Sequence, residues 1–160
     1  MSDKEYKDCV VLNSDILYRY SIMMVRNHPL AQDIVQESFL SLWINRNNVD
    51  FAKSKGYLIR TAYYIVVSWR RKNDVKTKYK QTITEYKTEN SYNGVEDAVN
   101  YYLQLLPDFY KDVLILKDMQ GYSYEEIAQM TDSSLEKIKV TVYRARKRMK
   151  ELIGKKENII

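Results

Sequence analysis

Basic side chains gather at two places in the sequence. Between Trp69 and Lys80 stand Arg70, Arg71, Lys72, Lys76, Lys78 and Lys80 against the single acid Asp74, a net of +5. Between Lys139 and Lys150 stand Lys139, Arg144, Arg146, Lys147, Arg148 and Lys150, a net of +6. The whole chain of 160 residues carries only +5, so the remainder is acidic by about six charges and the molecule is electrically polarised. Such charge suits a polyanion held at two places, although either run alone could be an ordinary solvated face. Other chemistry has little to work with. One cysteine, Cys9, and one histidine, His28, are too few for an internal disulfide or a His/Cys zinc site. Four scattered glycines cannot write a phosphate loop or a dinucleotide fingerprint. No cofactor, no metal and no enzymatic reaction are expected. No apolar run approaches the roughly 18 residues of a membrane span and the amino end has no signal peptide, so a cytoplasmic location is expected.

The elements that would carry these charges are helices. Two prolines and four glycines disfavour an all-β fold. Apolar periodicity predicts helices over Asp8 to Asn27, Leu30 to Asn45 and Tyr57 to Lys72, the last with Leu58, Ala62, Ile65 and Trp69 as its buried stripe. Asn27-His28-Pro29 separates the first two. Asn73 to Val95, polar and poor in large aliphatics, reads as a mobile linker. Helices over Glu96 to Leu106 and Asp108 to Met119 follow, broken by Pro107 and ending before Gly121. The expectation is an all-α chain of two small helical domains, 1–72 and 96–160, joined by a flexible linker, 73–95.

The carboxyl end carries the sharpest local signal. Ser123-Tyr124-Glu125-Glu126 is a capping box ahead of a short helix, Tyr124 to Thr131, and Ser133-Ser134-Leu135-Glu136 repeats it ahead of another. Two helices across so short a turn make a helix-turn-helix. In the second, Leu135, Ile138, Val142, Ala145, Met149 and Leu152 recur every three or four residues and face inward. The opposite face presents Glu136, Val140, Tyr143, Arg144 and Lys147, with Lys137 and Lys139 on its flanks. Lysine and arginine can neutralise phosphates or read guanine, and Val140 can meet a thymine methyl, so the pattern fits a helix in a major groove.

In the first half, the helix Tyr57 to Lys72 leaves Arg60, Tyr64, Val67 and Arg71 opposite its stripe, beside Tyr57 and Ser68. Rings among arginines suit single-stranded DNA, whose unpaired bases stack at about 1–3 kcal/mol each. For any one tyrosine, packing against a neighbouring helix is the commoner role. On Leu30 to Asn45, Asp33, Gln36 and Glu37 form one acidic edge. Such an edge repels phosphate and suits a protein partner carrying arginines, although composition alone favours an ordinary solvated face.

The stretch Ala31-Gln32-Asp33-Ile34-Val35-Gln36-Glu37-Ser38-Phe39-Leu40-Ser41-Leu42-Trp43 resembles the polymerase-binding helix of bacterial sigma factors of the extracytoplasmic-function type. Leu106-Pro107-Asp108-Phe109-Tyr110, Gly121-Tyr122-Ser123-Tyr124-Glu125-Glu126-Ile127-Ala128 and Tyr143-Arg144-Ala145-Arg146-Lys147 resemble the promoter-reading carboxyl domain of the same family, in the same order. The resemblance implies a detachable specificity subunit with two helical domains. It implies core RNA polymerase, promoter DNA and a possible anti-sigma factor as partners. Asp33, Gln36 and Glu37 would dock on the clamp helices of the largest polymerase subunit. Tyr57 and the helix to Arg71 would hold open the minus-ten element, and Lys139, Tyr143, Arg144 and Arg146 would stand at positions that read the minus-thirty-five duplex. The linker would thread near the RNA exit path. Thr61-Ala62-Tyr63-Tyr64 replaces the family's usual Ile-Ala-Arg-Asn, which implies base capture by stacking. Asp132, Ser134 and Glu136 replace a glycine, a proline and a glycine around the turn, so promoter preference does not transfer.

Two other classes fit parts of the pattern. A stand-alone helix-turn-helix regulator would need a dimerisation surface for a palindromic site, and no heptad seam is present. A protein-interaction module would use the basic helix without DNA. Retention by core polymerase separates the sigma reading from both.

Overall fold

The computed structural model describes residues 1–74 and 94–157, with side chains at 1–74 and 98–155. It divides into two compact units, Met1–Asn90 and Ser91–Ile160. Every regular element among the described residues is helical. The linker expected over 73–95 lies almost wholly outside the described residues.

Among the described residues the amino-terminal unit holds three α-helices. α1, Asp3–Val25, begins further upstream than the periodicity predicts because Ser2 and Glu5 form a reciprocal capping box. It ends at Arg26, whose left-handed backbone (φ 53°) reverses the chain. Asn27 then caps α2, His28–Asn45, by accepting the Leu30 amide at 2.9 Å, with Pro29 in the first turn. Two single 3-10 turns, Arg46–Asn48 and Phe51–Lys53, lead to α3, Ser54–Asn73.

All three helices pack on one another. Their common core includes Cys9, Leu17 and Tyr20 from α1, Ala31, Ile34 and Leu42 from α2, and Leu58, Ile59, Ala62 and Val66 from α3. Two buried hydroxyls are satisfied inside their own helices, Ser21 on the Leu17 carbonyl at 2.8 Å and Ser38 on the Ile34 carbonyl at 2.7 Å. Tyr6 donates to the Phe39 carbonyl at 2.9 Å and sets its ring edge against Trp43 at 4.9 Å. Burial, and then the nearby Cys9 thiol, raise the Tyr6 phenol above its ordinary value.

The stripe expected on α3 is rotated. Leu58 and Ala62 are buried as expected, but Ile59, Tyr63 and Val66 are buried with them, while Ile65 and Trp69 are half-exposed. The reason is that α3 contacts both α1 and α2, so the arc it buries is wider than one periodic stripe and centred elsewhere.

The carboxyl-terminal unit has four helices: α4 (Gly94–Gln104), α5 (Asp108–Leu114), α6 (Tyr124–Thr131) and α7 (Leu135–Glu157). The expected helix from Asp108 to Met119 is α-helical only through Leu114; Ile115–Met119 is a π turn, closed by the Gln120 amide on the Ile115 carbonyl at 3.0 Å. Gly121 (φ 77°) then turns the chain in a conformation that favours glycine. Leu103, Val113, Ile115, Leu116, Ile127, Met130, Ile138, Val142 and Ala145 form the core.

Ser123 caps α6 by accepting the Glu126 amide at 3.1 Å. The second cap differs from expectation by one residue. Asp132 takes a left-handed conformation (φ 52°), which a short polar side chain tolerates, and the Ser133 amide returns to the Ala128 carbonyl at 2.9 Å. Ser133 is thereby spent on ending α6, its hydroxyl donating to Thr131 O, and Ser134 accepts the Lys137 amide at 3.1 Å to start α7. Glu136 consequently falls outside the capping-box position. Ser134→Ala should lower stability by about 0.5–2 kcal/mol in chemical denaturation, and more than Ser133→Ala does; the reverse order would place the cap where the spacing alone put it.

Candidate nucleic-acid and protein interfaces

On α7 the inward stripe is held firmly: Ile138, Val142 and Ala145 are completely or almost completely buried, and Leu135, Met149 and Leu152 are half-buried. Thr141 is also buried, its hydroxyl turned back to the Lys137 carbonyl at 2.6 Å. The opposite face is open. Tyr143 is 68% exposed and Val140 44%, and Lys137, Lys139, Arg144 and Lys147 are all exposed. Among the described residues no carboxylate forms an ion pair with Lys139, Arg144 or Lys147. Three cations with an aromatic ring and a valine methyl pair between them can serve both phosphates and base edges.

Two of the expected contacts are already engaged within the chain. Lys137 Nζ lies 4.7 Å over the Phe109 ring. Arg146 Nε donates to Asp118 Oδ2 at 3.0 Å while a terminal nitrogen donates to Oδ1, and this hydrogen-bonded carboxylate raises the Arg146 pKa above its ordinary value.

In the amino-terminal unit α2 and α3 line a groove of about 560 Å³. Asp33 and Glu37 stand on its α2 side; Tyr64, Ser68, Trp69 and Lys72 stand on its α3 side. Asp33, Gln36 and Glu37 are all exposed. The structure thus brings two of the acidic residues to the same groove as two of the residues expected to meet melted DNA.

Arg60, Ser68 and Arg71 are exposed, and Tyr64 is 49% exposed. Its neighbour Tyr63 is buried, so only one of the two adjacent rings is presented. Tyr57 is different: its hydroxyl pairs with Ser41 Oγ at 2.7 Å and accepts from Asn45 Nδ2 at 3.0 Å, tying α3 to α2. Its polar end serves the fold, and only the ring is left for a ligand.

Sequence reasoning missed the apolar continuation of α2. Leu40 is 57% exposed and Ile44 68%, one and two turns beyond Gln36 on the same side. The signal was present: Phe39, Leu40, Leu42, Trp43 and Ile44 are more large side chains than one face can bury.

The stability consequences separate the two tyrosines. Tyr57→Phe should cost about 0.5–1.5 kcal/mol in thermal or chemical unfolding through the lost bonds to α2, whereas Tyr64→Ala should stay within about 0.5 kcal/mol of the parent. Equal losses would mean that Tyr64 also belongs to the fold.

The chain matches two family models, Sigma-70 region 2 over residues 10–75 and Sigma-70 region 4 over residues 97–149. It is 30% identical over 155 residues to RNA polymerase sigma factor SigV of Bacillus subtilis, covering 93% of this chain and 91% of that one. It is 24% identical over 148 residues to the sigma factor SigM of the same organism, covering 89% and 91%. Its fold is similar, with a TM-score of 0.73 and 22% identity, to the sigma factor RpoE of Bartonella quintana, solved in complex with the anti-sigma factor NepR; 94% of this chain and 98% of that one are covered. Residues 10–75 and 97–149 are the two halves in which the acidic groove and the cationic helix have just been located, and the chain belongs to the extracytoplasmic-function sigma factors, alternative subunits that direct RNA polymerase to initiate transcription at promoters.

Proposed function

We propose that three exposed surfaces divide the work of this sigma factor. In the amino-terminal unit, Asp33, Gln36 and Glu37, continued by Leu40 and Ile44, dock on the clamp helices of the largest polymerase subunit. Carboxylates at one end of that edge attract the partner's cations and steer the encounter, and the apolar end supplies area that is worth burying.

Tyr64, with Arg60, Ser68 and Arg71 on the same helix, takes the melted strand of the minus-ten element; the Tyr57 ring lies at the start of that face. A tyrosine at position 64 can hold an unpaired base by stacking, and stacking needs no fixed donor pattern. Lys137, Lys139, Val140, Tyr143, Arg144 and Lys147 read the minus-thirty-five duplex, cations positioning the helix on phosphates and the remaining groups meeting base edges. The observation that carries this assignment is the split of α7, whose Ile138, Val142 and Ala145 are sealed in the core while the outer face holds Lys139, Arg144 and Lys147 without an acidic partner among the described residues.

The domain limits that go with these roles are 1–72 and 96–160, joined through 73–95. The chain supplies no reaction of its own, phosphodiester chemistry belonging to the polymerase, and it acts in the cytoplasm. No described helix is long and apolar enough to cross a membrane. RpoE was solved with an anti-sigma protein, and a partner of that class is expected here.

Run-off transcription by purified core polymerase on a genomic fragment library, with and without the chain, tests the reading. A set of transcripts that appears only with it is expected, and identical transcripts would end the reading. Within the same assay, Asp33→Lys with Glu37→Lys should abolish polymerase association while leaving duplex binding intact; undiminished association would remove the docking assignment. Arg144→Ala should cost about 1–3 kcal/mol on the cognate upstream element. An equal loss on random duplex would make Arg144 a phosphate contact.

A further inference from the structure

Arg146 shares a helix and a sign with the residues of the DNA face, yet its surroundings differ from theirs. Its guanidinium grips both oxygens of Asp118, Nε to Oδ2 at 3.0 Å. Paired, nearly parallel bonds make this the most directional contact an arginine forms with a carboxylate. Tyr124 stands beside the same guanidinium, and Lys117 Nζ lies 4.5 Å over the Tyr124 ring. The Arg146–Asp118 pair therefore ties α7 to the π turn, and the Lys117–Tyr124 contact ties the same turn to the first residue of α6.

The π turn is what delivers Asp118 there. Its i→i−5 closure accommodates one residue more than an α-helical turn would, and a one-residue shift swings a side chain by about 100°. Charge points the same way. A carboxylate bonded through both oxygens cancels the charge that Arg146 would otherwise offer a phosphate, and the pair would have to break before that contact could form. With side chains 45% and 39% exposed, the pair adds little to stability. What it can fix is angle: rotation of α7 about its own axis moves Tyr143 and Arg144, three and two residues away, relative to α6.

We propose that Arg146 is a positioning residue, held by Asp118, that sets the orientation in which Tyr143 and Arg144 meet the promoter duplex and does not itself contact DNA. The proposal rests on the reading of α7 as the promoter-reading helix, and it reassigns one residue of the face that the sequence pattern assembles.

The test uses the full chain with core polymerase and two probes, duplexes enriched from a genomic library by the wild-type holoenzyme and random duplexes of equal length. Asp118→Asn, Arg146→Gln and Arg146→Lys should each lower the ratio of promoter to random affinity by about 3- to 30-fold. The double variant Asp118→Asn with Arg146→Gln should lose no more than either single change. The salt dependence of binding should not alter in Arg146→Gln. A direct phosphate contact gives the opposite pattern: Asp118→Asn frees a cation and tightens both probes, Arg146→Lys keeps wild-type affinity, and Arg146→Gln shallows the log-log salt slope by about one. Either of the first two results, or that change in slope, overturns the proposal. Should Asp118→Asn fail to fold by circular dichroism, the two Arg146 variants decide. A wild-type holoenzyme that enriches no duplex instead overturns the promoter reading itself, so the two failures are distinguishable.

Discussion

The carboxyl-terminal half depends on anchoring a strongly charged helix by one face alone. α7 runs from Leu135 to Glu157, and its run of like charges repels itself, so it would be marginal as an isolated helix. Burial of Ile138 and Val142 contributes about 1.5–3 kcal/mol each, and Ala145 between them and Met149 keeps the close approach possible. Because the core takes only that stripe, the cations do not have to be desolvated to fold the protein. Lys139, Arg144 and Lys147 remain exposed with no carboxylate partner among the described residues, and release of counterions would make binding of a polyanion there favourable and salt-dependent. The π turn and the left-handed Asp132 are the local adjustments that bring α5 and α6 under the same stripe.

A related division governs the amino-terminal half. α3 is wedged against two helices, and the buried Ser21 and Ser38 spend their hydroxyls on their own helix carbonyls, so these polar groups do not oppose close approach. That leaves acids and apolar side chains on the outside of α2 and cations at the end of α3. Arg70, Arg71 and Lys72 occupy the last turn of α3, where positive charge complements the helix dipole. A basic end to this helix thus assists the fold locally. The groove between α2 and α3 places the two signs of charge side by side, which suits an adaptor whose partners are a protein on one side and DNA on the other.

Much of this was legible in the residues. The helices stand within a few residues of where periodicity and caps put them, and α6, from Tyr124 to Thr131, coincides with its expected span. The alternation on α7 from Leu135 to Leu152 and the order of family motifs pointed to the same half-buried helix and to the sigma family. The misreadings have physical causes. The first helix was begun too late because the Ser2 to Glu5 box, though present in the sequence, precedes the apolar pattern. The stripe on α3 was centred wrongly because a period does not reveal how many neighbours a helix has. The α7 cap moved to Ser134 because a left-handed residue extended the end of α6 by one.

Sequence alone determined the all-helical character, the two charged runs and the amphipathic split of the last helix, because caps and periods act over three or four residues and are written where they act. Tertiary structure decided which polar groups remained available. Arg146 is spent on a residue 28 positions earlier, and the Tyr57 hydroxyl on one 16 positions earlier. Ile65 and Trp69 were turned from core to groove wall. Those outcomes depend on the angles at which helices cross, which the summed packing of many side chains sets and no local pattern specifies.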